Sequence, residues 1–379
     1  MMAEDKIVSY LETQVPEYLK LLGEFVELES PSFEHKESSD RCCSFLERTF
    51  TELGFRMRRI PQETCGDHLY GELGEGPGGV MFVGHYDTVY PVGTLETMPF
   101  RVEGDKAYGP GILDMKGGIM MAYFAIKALQ ELGMMPGKKI GVFFNGDEET
   151  GSFHSSDLIV QAGREYESVF VMEPGVNDLN AIKTSRFGRG TYTLIAHGKA
   201  AHSGSNPHQA VSPLMEIARQ LLYIENWDRE LNNAVTLAPT AIEGGEAETC
   251  MIPETAQLTM DVRYKTKELC RKVHEEILGM QAQMPGVRLE VRGQIDKPVM
   301  AADPALFAKA QELGKACGLE VKGVPVGGGS DGNFTSDAGI PTLDGLGPSG
   351  EFLHNPQEYI HVDHFARRTA LVAKLLQSQ

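Results

Sequence analysis

The sequence predicts an α/β fold, a largely parallel sheet covered by helices, interrupted by a smaller α+β domain. Three observations carry that expectation. Up to about residue 175, apolar stretches at helical spacing alternate with short apolar runs bounded by glycine, as a helix-covered parallel sheet requires. From about Lys183 to Gly293 the texture changes to alternating strands separated by long helices. Beyond it a helix, a glycine-rich turn, a strand and a final helix return, so the last segment should complete the first domain. The expected divisions are 1–183 and 296–379 for the larger domain and 184–295 for the insert. A chain of 379 residues with 41% hydrophobic and 23% charged residues is long enough to bury about two such cores.

Taken in order, helical spacing covers Ile7–Leu22, Ser39–Leu53 and Ile119–Leu132. Val80–Val83, Ile140–Phe144 and Val169–Met172 read as buried strands. Each ends in polar residues: Gly84-His85-Tyr86-Asp87, Asn145-Gly146-Asp147-Glu148-Glu149, and Glu173. Open α/β sheets bind ligands outside the carboxyl ends of their strands, so these three ends should converge on one site. In the insert, strands are expected at Thr191–Ala196, Val235–Ala241 and Ala256–Tyr264, with helices at Pro213–Glu225 and Lys267–Met284. A helix over Asp303–Cys317, a strand near Thr342–Leu346 and a helix after Val362 close the chain.

Thirty-five Lys and Arg against 53 Asp and Glu leave a net charge of −18, which repels phosphate backbones and anionic lipid. Neither nucleic acid nor membrane is an expected partner. The six cysteines, Cys42, Cys43, Cys65, Cys250, Cys270 and Cys317, show no C-x-x-C spacing and read as reduced thiols. Residues 1–29 lack the basic start and apolar core of a signal peptide, and no run approaches the roughly 18 apolar residues of a membrane span, so a cytoplasmic location is expected. There is no internal repeat, no low-complexity tract, no G-x-G-x-x-G after a strand and no G-x-x-x-x-G-K-[ST], which argues against a nucleotide site.

The strand ends carry the chemistry. His85 and Asp87 share a face of an extended segment, so the Asp87 carboxylate could hold the imidazole in one tautomer. Asp114 lies in Gly109-Pro110-Gly111-Ile112-Leu113-Asp114-Met115-Lys116-Gly117-Gly118, a turn before a helix, where a capping role is the plain alternative. Glu148 and Glu149 are adjacent at the end of a buried-type strand, where repulsion is costly unless a cation or a raised pKa relieves it. One can ligate a metal while the other acts as general base, the alternative being a solvated acidic loop. Glu173 and His354 complete the set. Two histidines with three or four carboxylates and no cysteine suit Zn²⁺, Co²⁺ or Mn²⁺, and two metals bridged by one Asp would serve amide hydrolysis.

Several ordered motifs resemble the M20 metallopeptidases, specifically the glutamate carboxypeptidase-like branch that neighbours acetylornithine deacetylase and succinyl-diaminopimelate desuccinylase. They are Gly84-His85-Tyr86-Asp87-Thr88-Val89, Gly109-Pro110-Gly111 with Asp114-Met115-Lys116-Gly117-Gly118, Asp147-Glu148-Glu149-Thr150-Gly151-Ser152, Glu173-Pro174, and His354-Asn355 before Glu358-Tyr359. The resemblance implies a di-zinc exopeptidase-like catalytic domain with a ferredoxin-like lid and dimerisation domain. It implies two Zn²⁺ per subunit, with Co²⁺ or Mn²⁺ as alternatives: His85, Asp114 and Glu173 on one, Asp114, Glu149 and His354 on the other, and Asp114 bridging. Glu148 would be the general base and Asp87 would orient His85.

Gly198-Lys199-Ala200-Ala201-His202-Ser203 and Asp261-Val262-Arg263 also resemble the family. They imply a homodimer in which His202 reaches the partner's site to hold the developing oxyanion, while Arg263 binds substrate. The run Gly327-Gly328-Gly329-Ser330-Asp331-Gly332 resembles the substrate-facing loop, with Gly328 and Gly329 letting backbone approach a carboxylate; a tight turn is the alternative. Departures are equally informative. Cys250-Met251 stands before Ile252-Pro253 where relatives often carry Asn, His208-Gln209-Ala210-Val211-Ser212 replaces the commoner Glu-x-Gly-x-Asn, and no Lys or Arg matches the clasp for a glutamate side chain, although Lys183, Arg186 and Arg189 lie nearby.

The expectation is a di-zinc hydrolase acting on small molecules, releasing an amino acid from a short peptide or an N-acyl amino acid, with an aminoacylase or deacetylase on the same site as the alternative. A serine hydrolase using Ser330, Asp344 and His354 is a further reading, since Gly328–Gly332 satisfies G-x-S-x-G. Gly323, Pro325 and Gly327 interrupt the strand such an elbow needs. A metal-free binding protein would have lost a ligand or the base, and all are present.

Overall fold

Every residue of Val80–His85 is buried, and a strand with no polar-facing side must be covered on both faces. The computed structural model, which describes residues 5–33, 35–246 and 250–379, places it in the interior of a nine-stranded sheet. It pairs in parallel with Ile140–Gly146 and with Ser168–Val171, and Thr342–Asp344 runs parallel to the latter. Gly66–Leu73 and Arg56–Ile60 extend the sheet antiparallel on one side. Ala181–Arg186 and Met300–Ala301 lie beyond Thr342–Asp344, with Lys322–Val326 also pairing to Ala181–Arg186. The parallel strands therefore deliver His85, Asp147 and Glu173 to one edge.

By its contacts the chain divides into two units, one made of residues up to Ser185, Met300–Val326 and Ser330–Gln379, the other of Arg186–Val299 and Gly327–Gly329. In the first, the helix Gly117–Glu131 is apolar almost all round and buried against the helices of both chain ends. Tyr18 stacks on Phe365 with ring centroids 3.9 Å apart, tying the N-terminal helices to the last one. The single helix expected over Ile7–Leu22 is two, Lys6–Thr13 and Val15–Val26, because Pro16 has no N–H to continue the first and suits the opening turn of the second.

The second unit has the order strand Gly188–His197, helix Pro213–Glu230, strands Val235–Gly244 and Thr255–Tyr264, helix Lys267–Leu278 and strand Arg288–Lys297. Its four long strands form an antiparallel sheet in which Thr255–Tyr264 and Gly188–His197 are central, the split βαββαβ arrangement of ferredoxin-like folds. The helix expected to reach Met284 stops at Leu278, where Gly279 caps it and Pro285 follows. No helix among the described residues is long and apolar enough to cross a membrane.

Candidate metal centre

His85 ends its strand with its ring buried. Nδ1 lies 3.0 Å from the Asp87 carbonyl oxygen, so this nitrogen carries the proton and donates. Nε2 is left to face Asp114 Oδ1 at 3.1 Å and Glu173 Oε1 at 3.4 Å. The Asp87 carboxylate is 3.4 Å from Nδ1 but takes its hydrogen bonds elsewhere, accepting from Glu148 N at 3.2 Å and Glu149 N at 3.1 Å. Asp87 thus orients His85 through its carbonyl and, through its side chain, fixes the short 3₁₀ turn Glu148–Thr150.

Asp114 is not a helix cap. It sits at φ −119, ψ 97 within the irregular turn Ile112–Lys116, and the following helix takes no side-chain cap from it. Gly111 opens the turn at φ 68, where a Cβ would meet Thr88 Cγ2 at 2.4 Å, so only glycine serves. The turn is gripped by Glu358, fully buried, which accepts from Leu113 N at 2.7 Å and Asp114 N at 3.1 Å with one oxygen. Its other oxygen takes Tyr90 Oη at 2.6 Å. Burial pushes the Glu358 carboxyl up to about 7. Sequence reasoning noticed Glu358 only as a motif neighbour, since nothing in its local spacing marks a residue whose partners lie so far back in the chain.

Asp114 presents one oxygen to each imidazole, with Oδ2 3.2 Å from His354 Nε2, and the same nitrogen lies 3.1 Å from Glu149 Oε1. His354 holds φ 57, a left-handed conformation uncommon outside glycine and concentrated at functional sites. One donor atom from each of His85, Asp114 and Glu173 lies within 4.8 Å of the others, and the same holds for Asp114, Glu149 and His354. Behind Glu173, Lys183 Nζ stands 3.5 Å from its second oxygen.

The charge state shows what this donor set lacks. Burial, with the Asp114 charge adding to it, pushes Glu149 up to about 8. The carboxylates of Asp114 and Glu149 raise His354 to about 10, and although burial opposes it, Asp114, Asp87 and Glu173 hold His85 well above its ordinary value. In the bare chain, protons on the imidazoles supply the positive charge on which the carboxylates converge. Divalent cations in the two triads would replace those protons, and N/O donors sharing one carboxylate fit a dinuclear centre.

His202, Arg263, Gly328, Gly329 and Cys250 belong to the other unit. His202 Nδ1 accepts from Gly204 N and Ser205 N, both at 3.1 Å, so its proton sits on Nε2 of an exposed ring. Arg263 holds Asp261 with Nε at 2.6 Å and Nη2 at 3.2 Å. The carbonyls of Gly328 and Gly329 accept from Arg186 at 3.2 and 2.9 Å, and a Cβ on Gly328 would meet nothing within 4 Å, so local packing does not demand glycine there. Cys250 is exposed. The serine-hydrolase reading fails: Ser330 is fully buried and donates directly to Asp344 Oδ2 at 2.6 Å with no imidazole between, while His354 faces Asp114 and Glu149.

Paired carboxylate–imidazole triads, in which His85, Glu149 and Glu173 follow parallel strands, beside a further glutamate, Glu148, define a metal-dependent hydrolase. The chain belongs to peptidase family M20/M25/M40, whose profile matches residues 81–378. It is 32% identical to carboxypeptidase G2 of Pseudomonas sp. (strain RS-16), over 95% of this chain and 89% of that protein. It is 29% identical to a succinyl-diaminopimelate desuccinylase of Rhodospirillum centenum, over 89% of this chain and 91% of that one. Its fold matches that of the Bacillus subtilis YXEP protein, described as a dinuclear metal binding peptidase from the M20 family, with TM-score 0.69 and 16% identity over 97% of this chain and 98% of that one.

Proposed function

We propose that this chain is a di-zinc hydrolase that cleaves an amide bond to release an amino acid from the carboxyl end of a short peptide or N-acyl amino acid. The observation that carries the reading is Asp114, shared by two imidazole-containing triads, with Glu148 on the turn that also bears Glu149. Zinc bound there supplies a Lewis acid for the scissile carbonyl and brings a bound water's pKa towards about 7. His85, Asp114 and Glu173 form one ligand set and Asp114, Glu149 and His354 the other. The Glu148 carboxylate, buried and carried on a backbone pinned to Asp87, takes the proton of the attacking water and passes it to the nitrogen of the departing amine. Replacing Glu148 by Gln removes the proton acceptor while keeping size, so kcat should fall about 10²–10⁴-fold with both metals retained; near-normal turnover refutes the mechanism.

The insert, 184–295, acts in this reading as lid and dimerisation domain of a cytoplasmic homodimer. The Nε2–H of His202 suits a developing oxyanion in the partner's site, Arg263 is assigned to substrate binding, and the backbone at Gly328 and Gly329 to the approach of a substrate carboxylate. Exposed Leu214, Met215, Leu222 and Tyr223 on one helix and Ile242 on an outer strand support the dimer. The names carboxypeptidase G2 and succinyl-diaminopimelate desuccinylase bracket the substrate as an acylated amino acid. An aminoacylase-like preference has its own support: a cleft of about 310 Å³ beside Glu149 is walled by Pro31, Phe33, Val89, Tyr90 and Pro91, and it suits an apolar or aromatic acyl group. Comparison of kcat/KM across N-acetyl, N-succinyl and N-benzoyl amino acids decides it, with an advantage for benzoyl expected and a strict preference for succinyl refuting the apolar cleft.

A further inference from the structure

A second group of metal-type donors in the larger unit shares no residue with the strand-end triads. His361 ends the strand Tyr359–His361, and Asp363 and His364 precede the last helix. One donor atom from each of the three lies within 4.8 Å of the others.

Hydrogen bonding determines what these donors offer. Asn177 Nδ2 donates to Glu351 Oε1 at 2.5 Å, and since a carboxylate only accepts, the Asn177 amide oxygen is the atom facing His361. His361 Nε2, 2.9 Å from that oxygen, must therefore carry the ring proton. Its Nδ1 faces the carboxylate of Asp105, with Oδ2 at 3.9 Å. An imidazole nitrogen and a carboxylate oxygen facing each other can share either a proton or a metal ion. His364 repeats the arrangement. Its Nδ1 is hydrogen-bonded to Ser349 Oγ at 2.5 Å, and its Nε2 stands 4.0 Å from Asp363 Oδ1. This is how hydrogen-bond partners usually fix metal-binding imidazoles.

The two rings lie 4.7 Å apart and tilted by 34°, close enough for one donor nitrogen of each to fall within 4.8 Å of the other. Tetrahedral zinc sets its N and O donors about 3.4 Å apart. Gaps of 3.9 and 4.0 Å close by small rotations of Asp105 and Asp363, whose side chains are 62% and 61% exposed. A cleft of about 540 Å³ lined by Asp105, Asp363 and His364 gives an ion its path.

We propose that His361, Asp363 and His364, with Asp105 as fourth ligand, form a third divalent transition-metal site, of the zinc class, on the catalytic unit. Asp105 lies in the turn between strands Arg101–Glu103 and Lys106–Tyr108, and its carbonyl already accepts from Val362 N at 2.8 Å. The ion therefore clips that hairpin to the start of the last helix and stabilises a segment that continues from Glu358.

The test is a metal count on the full-length protein dialysed against buffered Zn²⁺. Wild type should bind one equivalent more than the His361→Gln/His364→Gln double variant. Asp363→Asn, a change at an exposed side chain that leaves folding untouched, should weaken the extra equivalent at least tenfold. In Asp114→Asn, where the strand-end centre is disrupted, the same one-equivalent difference should persist, which separates this site from the di-zinc reading. Equal counts in wild type and double variant, or an extra equivalent indifferent to Asp363→Asn, overturn the proposal.

Discussion

Replacing Glu358 by alanine strands the backbone donors that hold Asp114 in place. Leu113 N at 2.7 Å and Asp114 N at 3.1 Å, the two short contacts, lose their acceptor in a buried turn, as does Gly111 N with its longer contact at 3.4 Å, whereas Tyr90 Oη can turn to the Asn355 carbonyl, 3.0 Å away. A buried donor left unpaired costs about 1–3 kcal/mol, so the two together cost about 2–6 kcal/mol. Part of this is returned, because burial that pushes Glu358 up to about 7 shows that the carboxylate is itself held at a cost. A net loss of about 2–4 kcal/mol is expected, a large share of the 5–15 kcal/mol typical of a folded domain. The consequence for the site is larger than for the fold, since a loosened turn lets Asp114 leave the line between His85 and His354. Groups that orient ligands are worth about 10–100-fold in metal affinity. Glu358→Gln keeps an acceptor oxygen for Leu113 and Asp114 and should retain more than half of both effects. The assays are thermal unfolding of the metal-free protein and zinc affinity by chelator competition. An alanine variant with wild-type melting temperature and wild-type zinc affinity would show that the turn needs no help from Glu358.

Arg368 is almost completely buried and donates to the carbonyls of Gly347, Leu179, Ala181 and Gly345 at 2.7–3.0 Å, so Arg368→Met should lower stability by about 3–5 kcal/mol and Arg368→Lys should recover only part of it. A denaturation midpoint within error of wild type for the Met variant would refute that account. Ser330→Ala removes two buried hydrogen bonds, the donation to Asp344 and the acceptance from Gly332 N, and should cost about 1–3 kcal/mol while kcat/KM stays within about twofold, whereas a complete loss of activity with an intact fold would revive the nucleophilic serine.

What was legible in the sequence follows from how local the cause is. Val80–His85 and Ile140–Gly146 are buried on both sides, so their apolar runs announce strands, and the polar residues after them mark the sheet edge where His85, Glu149 and Glu173 gather. The strand Gly66–Leu73 escaped notice because Asp67, His68 and Gly71 break its pattern; His68 and Asp67 are buried through tertiary packing rather than local preference. The insert's strands alternate cleanly, as in Thr255–Tyr264, where every second residue is buried. Pro16 divides the first helix by a rule that can be read from sequence, yet the apolar periodicity on either side of it masked the break. Glu358, Lys116 and Arg368 were illegible for a common reason: each buries a charge whose partners are mostly backbone groups, and backbone groups leave no trace in residue identity. Lys116 Nζ, for example, donates to the carbonyls of Phe25 and Leu28 at 3.3 and 2.6 Å.

The two triads differ in a way that predicts the order of metal binding. In the first, the side chains of His85, Asp114 and Glu173 are 1%, 8% and 7% exposed, and the Asp87 carbonyl sets the His85 tautomer. In the second, His354 is 42% exposed and rests on a left-handed backbone that must be held there at some cost. A pre-oriented, desolvated ligand set loses less freedom on binding, so the first site should fill about 10–100-fold more tightly than the second. Stepwise titration of the metal-free protein with Co²⁺, followed by its absorption bands, reads the two events. His354→Ala should retain one tightly bound metal, whereas His85→Ala should lose the tight event and, because Asp114 then has one imidazole fewer to anchor it, weaken the other. If His354→Ala instead abolishes both events while His85→Ala keeps one, the buried triad is not the anchoring site, and exposure rather than pre-orientation sets the order.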